Sequence, residues 1–302
     1  VALAALFIYD QNRYAFSQIG ISIAYYLVRC MMKKIVLLCF IILCIVFSCS
    51  RLDLAVNLAN SYITNKTDDF FDLSGEQRKW FKKSIAKDID KVKKTIFPQL
   101  ATEMLQISQT INNQKSFDTA TVLNSYDRLE NLFYDGLRIF TSTAVGLADK
   151  LALEQMVYFQ KEADKKFSEM KEDPNKKSYT KIKKHFDSWA GGMNSEQKKE
   201  LKVFVDKNPP PINEAVYSRQ NLVHEFLRSY PDKLARKKFV EKIFTNYDSM
   251  LDSNYKKVLA EKHNRVAAFV TNLLNKMPED QRQTLVETIR DRANQLLKIS
   301  KG

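Results

Sequence analysis

From residue 51 almost to the end of the chain, apolar residues recur at intervals of three and four, and no convincing run alternates apolar with polar. A spacing near 3.6 puts apolar side chains on one face of a helix and scatters them over both faces of a strand. In segment 75–96, Phe81, Ile85, Ile89, Val92 and Ile96 form one stripe, and Lys79, Lys83, Lys87 and Lys91 form another on the far side, extended by Lys94. Glycine is rare, seven in 302 residues, and the prolines fall mostly between periodic segments, where they start or break helices. The pattern predicts an all-α fold, a multi-helix bundle of about 8–10 helices. The expected helices are 51–65, 75–96, 99–112, 118–170 (bent or broken around Thr141 to Gly146), 178–190, 195–207, 212–229, 232–250, 253–275 and 278–299. Asn208-Pro209-Pro210-Pro211 reads as a rigid linker, and a second break at 172–175 separates an N-terminal half, 49–172, from a C-terminal half, 178–302. These are either separate domains or parts of one continuous domain.

The region before residue 51 follows another logic. Lys33 and Lys34 precede thirteen almost purely apolar residues, Ile35 to Phe47, and then Ser48-Cys49-Ser50. A short basic region, an apolar core too short for a span of about 20 residues and a small residue at the cut site describe an export signal. Val46-Phe47-Ser48-Cys49 also resembles a bacterial lipobox, which implies acylation of Cys49 as the mature N-terminus. The signal would then occupy 31–48, opening at Met31 or Met32, and residues 1–30 would be an upstream extension outside the native protein. The competing reading is a genuine extension that forms a membrane anchor together with 35–47. Cys30, Cys39, Cys44 and Cys49 are the only cysteines. After cleavage the lone thiol would carry lipid, which excludes an intramolecular disulfide and cysteine chemistry from the body. Ser50, where an Asp would favour inner-membrane retention, points to an outer-membrane anchor facing the periplasm.

Of the 48 Lys and Arg, four (Arg13, Arg29, Lys33, Lys34) precede Cys49, as does one of the 35 acids (Asp10), leaving 44 against 34 and a net charge of +10. A basic exported protein favours anionic envelope components or acidic polypeptides, and nucleic acid is not an expected partner. The lysine row in 75–96 reads either as a solvated face or as a surface for anions or clients. Like charges at i, i+4 repel by a few tenths of a kcal/mol per pair.

One short element recurs. Leu73-Ser74-Gly75-Glu76-Gln77-Arg78, Met193-Asn194-Ser195-Glu196-Gln197-Lys198 and Met277-Pro278-Glu279-Asp280-Gln281-Arg282 each lead with an apolar residue and carry Gln four positions later. Ser74 and Asn194 are good N-caps, with Gln placed to reach back in a capping box, and Pro278 suits a first helical turn. The leading Leu73, Met193 and Met277 can pack as staples. Separations of 120 and 84 residues are not those of a solenoid.

The element is similar to the Leu-Thr-x-x-Gln signature of the small helical periplasmic chaperones of the Spy and CpxP type. Leu-Ser-Gly-Glu-Gln matches with Ser for Thr, and the other two copies match more loosely. The mature chain as a whole resembles a family of uncharacterised bacterial helical lipoproteins. That resemblance is carried by Cys49-Ser50, Asp68-Asp69-Phe70-Phe71-Asp72-Leu73 with Gln77, and Trp189 ahead of Met193 and Gln197. It continues in Arg219 and Arg228, and in Asn272-Leu273-Leu274 ahead of Gln281-Arg282. It implies localisation and fold, and no activity.

His185, His224 and His263 lie 39 residues apart on different expected helices, without the one-turn spacing of tight metal motifs. Neither a metal nor another cofactor is expected. There is no Gly-rich phosphate loop, no Gly-x-Ser-x-Gly elbow and no cysteine nucleophile in the body. The expectation is a lipid-anchored envelope binding or scaffolding protein, chaperone-like toward acidic or unfolded clients, with Lys79, Lys83, Lys87 and Lys91 as the charged surface. The alternatives are a structural lipoprotein that binds one envelope partner and a carboxylate-dependent cell-wall glycan hydrolase, since two acids can come from distant helices.

Overall fold

The computed structural model describes residues 51–170 and 174–301. Cys49, the segment 31–48 and the extension 1–30 lie outside the described residues. The described chain holds eleven α-helices and no strand: α1 (Arg51–Phe71), α2 (Gly75–Asn113), α3 (Thr119–Ile139), α4 (Thr141–Ala148), α5 (Leu153–Glu169), α6 (Pro174–Ala190), α7 (Ser195–Lys207), α8 (Ile212–Ser229), α9 (Lys233–Thr245), α10 (Ser253–Asn275) and α11 (Glu279–Lys301). A 3-10 turn, Tyr247–Met250, joins α9 to α10. No described helix is long and apolar enough to cross a membrane.

α2 organises the bundle. At 39 residues it is about 58 Å long. Its first half enters one core with Phe81 and Ile85, alongside Leu147 of α4, Met156 of α5, Phe226 of α8 and Val240 of α9. Its second half enters another with Met104, Ile107 and Ile111, against Phe186 of α6, Leu201 of α7, Val270 and Leu274 of α10, and Leu285 and Ile289 of α11. A smaller cluster packs Ala163 and Phe167 of α5 against Ala215 and Val216 of α8 and Tyr255 of α10. The most extensive helix–helix contact joins α2 to α11. The two run antiparallel, because Arg282, in the first turn of α11, donates to the carbonyls of Ile111 and Gln114 at the end of α2.

Several boundaries differ from the sequence reading: α6 starts at Pro174 instead of 178, α9 ends at Thr245 instead of 250, and three further differences have a clear physical reason. Pro98 does not divide 75–112: α2 runs through it, since Ile96 and Ala101 on either side are both buried and packing holds the register. Proline removes one backbone hydrogen bond and ordinarily kinks or ends a helix. Segment 118–170 is three helices. One joint falls at Phe140, whose N–H reaches back to Leu137, at the edge of the bend expected around Thr141 to Gly146, and a second, unexpected break falls at 149–152. Gly146 lies inside α4 and admits the Trp80 ring, as an added Cβ would sit 2.8 Å from Cη2. α1 continues past residue 65 to Phe71 and ends on Asp72, whose positive φ of 47° closes the helix with its N–H on the Asp68 carbonyl at 2.8 Å.

Candidate functional site

A helix start leaves backbone N–H groups without partners, and a capping box satisfies two of them. At α2 the Ser74 hydroxyl accepts from the Gln77 N–H at 3.3 Å, and Gln77 Oε1 accepts from the Ser74 N–H at 2.9 Å. At α7, Asn194 and Gln197 make the same exchange, both bonds at 2.9 Å. Each box occupies the carboxamide oxygen and leaves its NH2 to donate elsewhere. A glutamate could complete the box but, ionised, could not donate, so the position calls for the amide.

That free NH2 decides the tertiary arrangement. Gln77 Nε2 donates to the Lys150 carbonyl at 2.6 Å and to Gln155 Oε1 at 2.9 Å. Gln155 returns the contact, donating to Gln77 Oε1 at 3.0 Å and to the carbonyls of Phe71 and Asp72 at 2.8 and 2.9 Å. Gln155 Oε1 also accepts from the Ala152 N–H at 2.8 Å. In the second pair Gln197 Nε2 donates to Gln281 Oε1 at 2.8 Å, and Gln281 Nε2 donates to the Gly192 carbonyl at 2.5 Å. Each pair is two helix starts locked across each other by reciprocal amides. In three of the four starts the carbonyl just before the apolar leader (Asp72, Lys150, Gly192) receives the partner's amide.

The structure thus adds a fourth copy of the element, Leu151-Ala152-Leu153-Glu154-Gln155, and arranges the four as two pairs. All four leaders, Leu73, Leu151, Met193 and Met277, are buried, the first two in the core of α4 and α9 and the last two in that of α10 and α11. The parallel extends to the preceding helix. Asp68 Oδ1 accepts from the Leu73 N–H at 2.9 Å, and Asp187 Oδ1 accepts from the Met193 N–H at 3.2 Å. Asp68 also pairs with Arg78. The polar atoms of Gln77, Gln197 and Gln281 are consequently engaged within the fold, Gln197 being 3% exposed.

Lys79, Lys83, Lys87 and Lys91 all stand exposed along α2. Among the described residues Lys79, Lys83 and Lys87 have no ion-pair partner, whereas Lys94 pairs with Asp90 at 2.7 Å. Asp88, beneath the row, is held above the usual carboxylate range by burial, an effect eased by a hydrogen bond from Thr143 and by the Lys91 charge. No metal-like cluster occurs among the described residues. His185, His224 and His263 lie on α6, α8 and α10.

One group of titratable side chains carries no sequence motif. Tyr126 and Glu130 of α3 are hydrogen-bonded to each other, and Tyr134, a turn on, donates to Asp248 at 2.9 Å. The ring of His263 meets Tyr126 edge-on at 5.1 Å, and its buried Nε2 has no hydrogen-bond partner. Burial raises Glu130 and both tyrosines and lowers His263, to which Lys262 adds. Lys262, 6% exposed on the inner face of α10, is pushed down to about 8 by burial and by Arg265.

Three of the residues quoted for the lipoprotein resemblance, Arg282, Trp189 and Arg219, make contacts between helices or helix ends. Arg282 donates to the carbonyls of Ile111, Gln114 and Leu274, closing the C-terminal ends of α2 and α10. Trp189 lies under the guanidinium of Arg292 at 3.7 Å. Arg219 reaches the Met170 sulfur at 3.2 Å. An open groove of about 540 Å³ runs between α7 and α10. Phe204 and Phe269 stack along it with ring centroids 4.2 Å apart. Val203 is exposed beside them, with Lys199, Lys207, Glu196 and Glu200 on the rim.

No family model, curated protein or solved structure matches this chain.

Proposed function

We propose that the chain is a binding module of the bacterial cell envelope, held on the outer membrane by acylated Cys49 and facing the periplasm, and that it holds acidic or unfolded polypeptides. The observation that carries the reading is the row Lys79, Lys83 and Lys87, three exposed cations one turn apart without an ion-pair partner among the described residues. Like charges so placed repel one another, and an anionic client relieves that repulsion. α2 is buried in both large cores along its other side, which makes the row a rigid one.

The test is suppression of aggregation of unrelated unfolded clients at equal or lower molar amounts. Suppression lost in Lys79→Glu/Lys83→Glu/Lys87→Glu and weakened by added salt supports the reading. No suppression by the unmodified protein, or equal suppression by the triple variant, refutes it. The groove between α7 and α10 favours a second reading, a structural lipoprotein that seats an apolar helix of one specific envelope partner on Phe204, Phe269 and Val203. Co-purification of one partner, lost in Val203→Asp, would select it.

A further inference from the structure

Counted from the paired glutamines, α7 repeats the spacing of the α2 lysine row. Lys79, Lys83 and Lys87 follow Gln77 by two, six and ten residues, and Lys199, Val203 and Lys207 follow Gln197 by the same steps. All six residues are exposed. In α7 the middle position is apolar, and the neighbouring helix adds an aromatic floor beside it. Val203 is 46% exposed. Phe204 and Phe269 of α10, both half-buried, stack with their planes 10° apart and line the groove with Val203. Lys199 and Lys207 stand on the rim, one turn before and one turn after Val203, in no ion pair with a described residue. The rim carboxylates are engaged or set to one side. Glu200 Oε1 accepts from Lys276 at 2.5 Å, and its Oε2 accepts from Asn272 at 3.0 Å. Glu196 stands in the first turn of α7, near the Lys276 charge.

Resting on the reading that the chain holds acidic or unfolded polypeptides, we infer that the groove between α7 and α10 takes an extended client segment of the form acid-x-apolar-x-acid. The apolar side chain lies on Val203, Phe204 and Phe269, and the two acids meet Lys199 and Lys207. The spacing fits this occupant. Steps of four residues along a helix set Lys199, Val203 and Lys207 about 6 Å apart in turn. In an extended chain, side chains two residues apart share one face at about 6.8 Å. An apolar residue with acids two positions before and two after it therefore meets all three sites at once. The charge is complementary as well, since both lysines lack an ionic partner among the described residues and Glu200 has none of its oxygens free. On α2 the same register has Lys83 at its centre, so the two rows differ in the residue they accept there.

Fluorescence anisotropy of labelled peptides titrated with the purified full chain tests this. The probe is Gly-Ser-Glu-Ser-Leu-Ser-Glu-Ser-Gly. Serine in place of its leucine should weaken binding about tenfold. Lys199→Glu/Lys207→Glu turns two attractions into repulsions and should weaken it about tenfold or more. Val203→Asp should abolish it. A probe with lysines in place of its two glutamates should bind the Lys199→Glu/Lys207→Glu protein and not the unmodified one, a rescue that an unfolded variant cannot give. Binding unchanged in the groove variants, or lost only in Lys79→Glu/Lys83→Glu/Lys87→Glu, overturns the groove assignment and leaves client holding in place. Tighter binding of an alanine-rich helical peptide with glutamates four residues either side of its leucine also overturns it, and gives the groove to a helical partner. Suppression of client aggregation without any binding of the probe refutes the groove alone, whereas absence of suppression refutes both readings.

Discussion

Replacing Gln197 by glutamate keeps the capping box and removes only the donor. The introduced carboxylate can still accept the Asn194 N–H, and its charge is welcome at a helix start by about 0.3–1 kcal/mol. What is lost is the bond from Nε2 to Gln281 Oε1 at 2.8 Å, about 1 kcal/mol net. What is gained is a charge 3% exposed that faces an acceptor, whose unsatisfied burial costs about 1–3 kcal/mol. Gln281 cannot turn its amide to help without releasing the Gly192 carbonyl. The net is a loss of about 2 kcal/mol at pH 7, or roughly 4–8 °C in Tm for a chain of this size. The pH dependence has a definite sign. Burial beside an acceptor raises the introduced carboxyl above its unfolded value, so the variant binds more protons folded than unfolded as pH falls. Once protonated it donates again, and the deficit against the unmodified protein should shrink between pH 7 and about pH 4. Denaturant melts of both proteins across that range measure it. A variant equal in stability at pH 7, or a deficit that does not shrink on acidification, refutes the claim that the paired amide is needed for its donor.

Gly146→Ala drives a methyl to 2.8 Å from the Trp80 ring and should cost about 1–3 kcal/mol by overpacking, read by chemical denaturation. Lys262→Met should stabilise the fold by about 1–3 kcal/mol at pH 7, because Lys262 is buried and its folded pKa is near 8. Between pH 8 and 10 the folded lysine sheds its proton while the unfolded one keeps it, so the unmodified protein gains stability and the advantage of Met should fade. Gly192→Ala places a Cβ at φ 109° with open space around it, so its cost of about 1–3 kcal/mol is pure backbone strain. A neutral result in thermal melts would show that the 191–192 turn can relax.

Periodicity carried the helices because each one buries a single stripe, and Phe81, Ile85 and Ile96 are in fact buried. Pro98 misled because local rules treat proline as a helix breaker, while here burial of Ile96 and Ala101 on either side outweighs the local preference. Gln77 and Gln197 were legible because a capping residue stands three positions earlier. Gln155 was not, since Ala152 offers no side chain to cap with. Its signal was present all the same, an apolar residue followed four positions later by Gln. That the glutamines pair was not legible at all, because the relation joins residues 78 and 84 apart through space. The cluster around Tyr126 and His263 likewise forms only when α3, α10 and the 3-10 turn meet.

α2 serves two large cores at once, and this bears on how the protein opens. A helix shared in this way cannot be released from the core of α10 and α11 without loosening the footing of α4 and α9. Its central amides should therefore exchange with solvent only through an opening close to global unfolding, whereas those of α9, whose only fully buried apolar side chain is Val240, should exchange through smaller, more frequent excursions. A fragment ending before α6 would leave Ile107 and Ile111 facing water without α11, and it should behave as a loose, solvent-swollen helix assembly with no sharp melt. Stability in this chain is held in common along one rod.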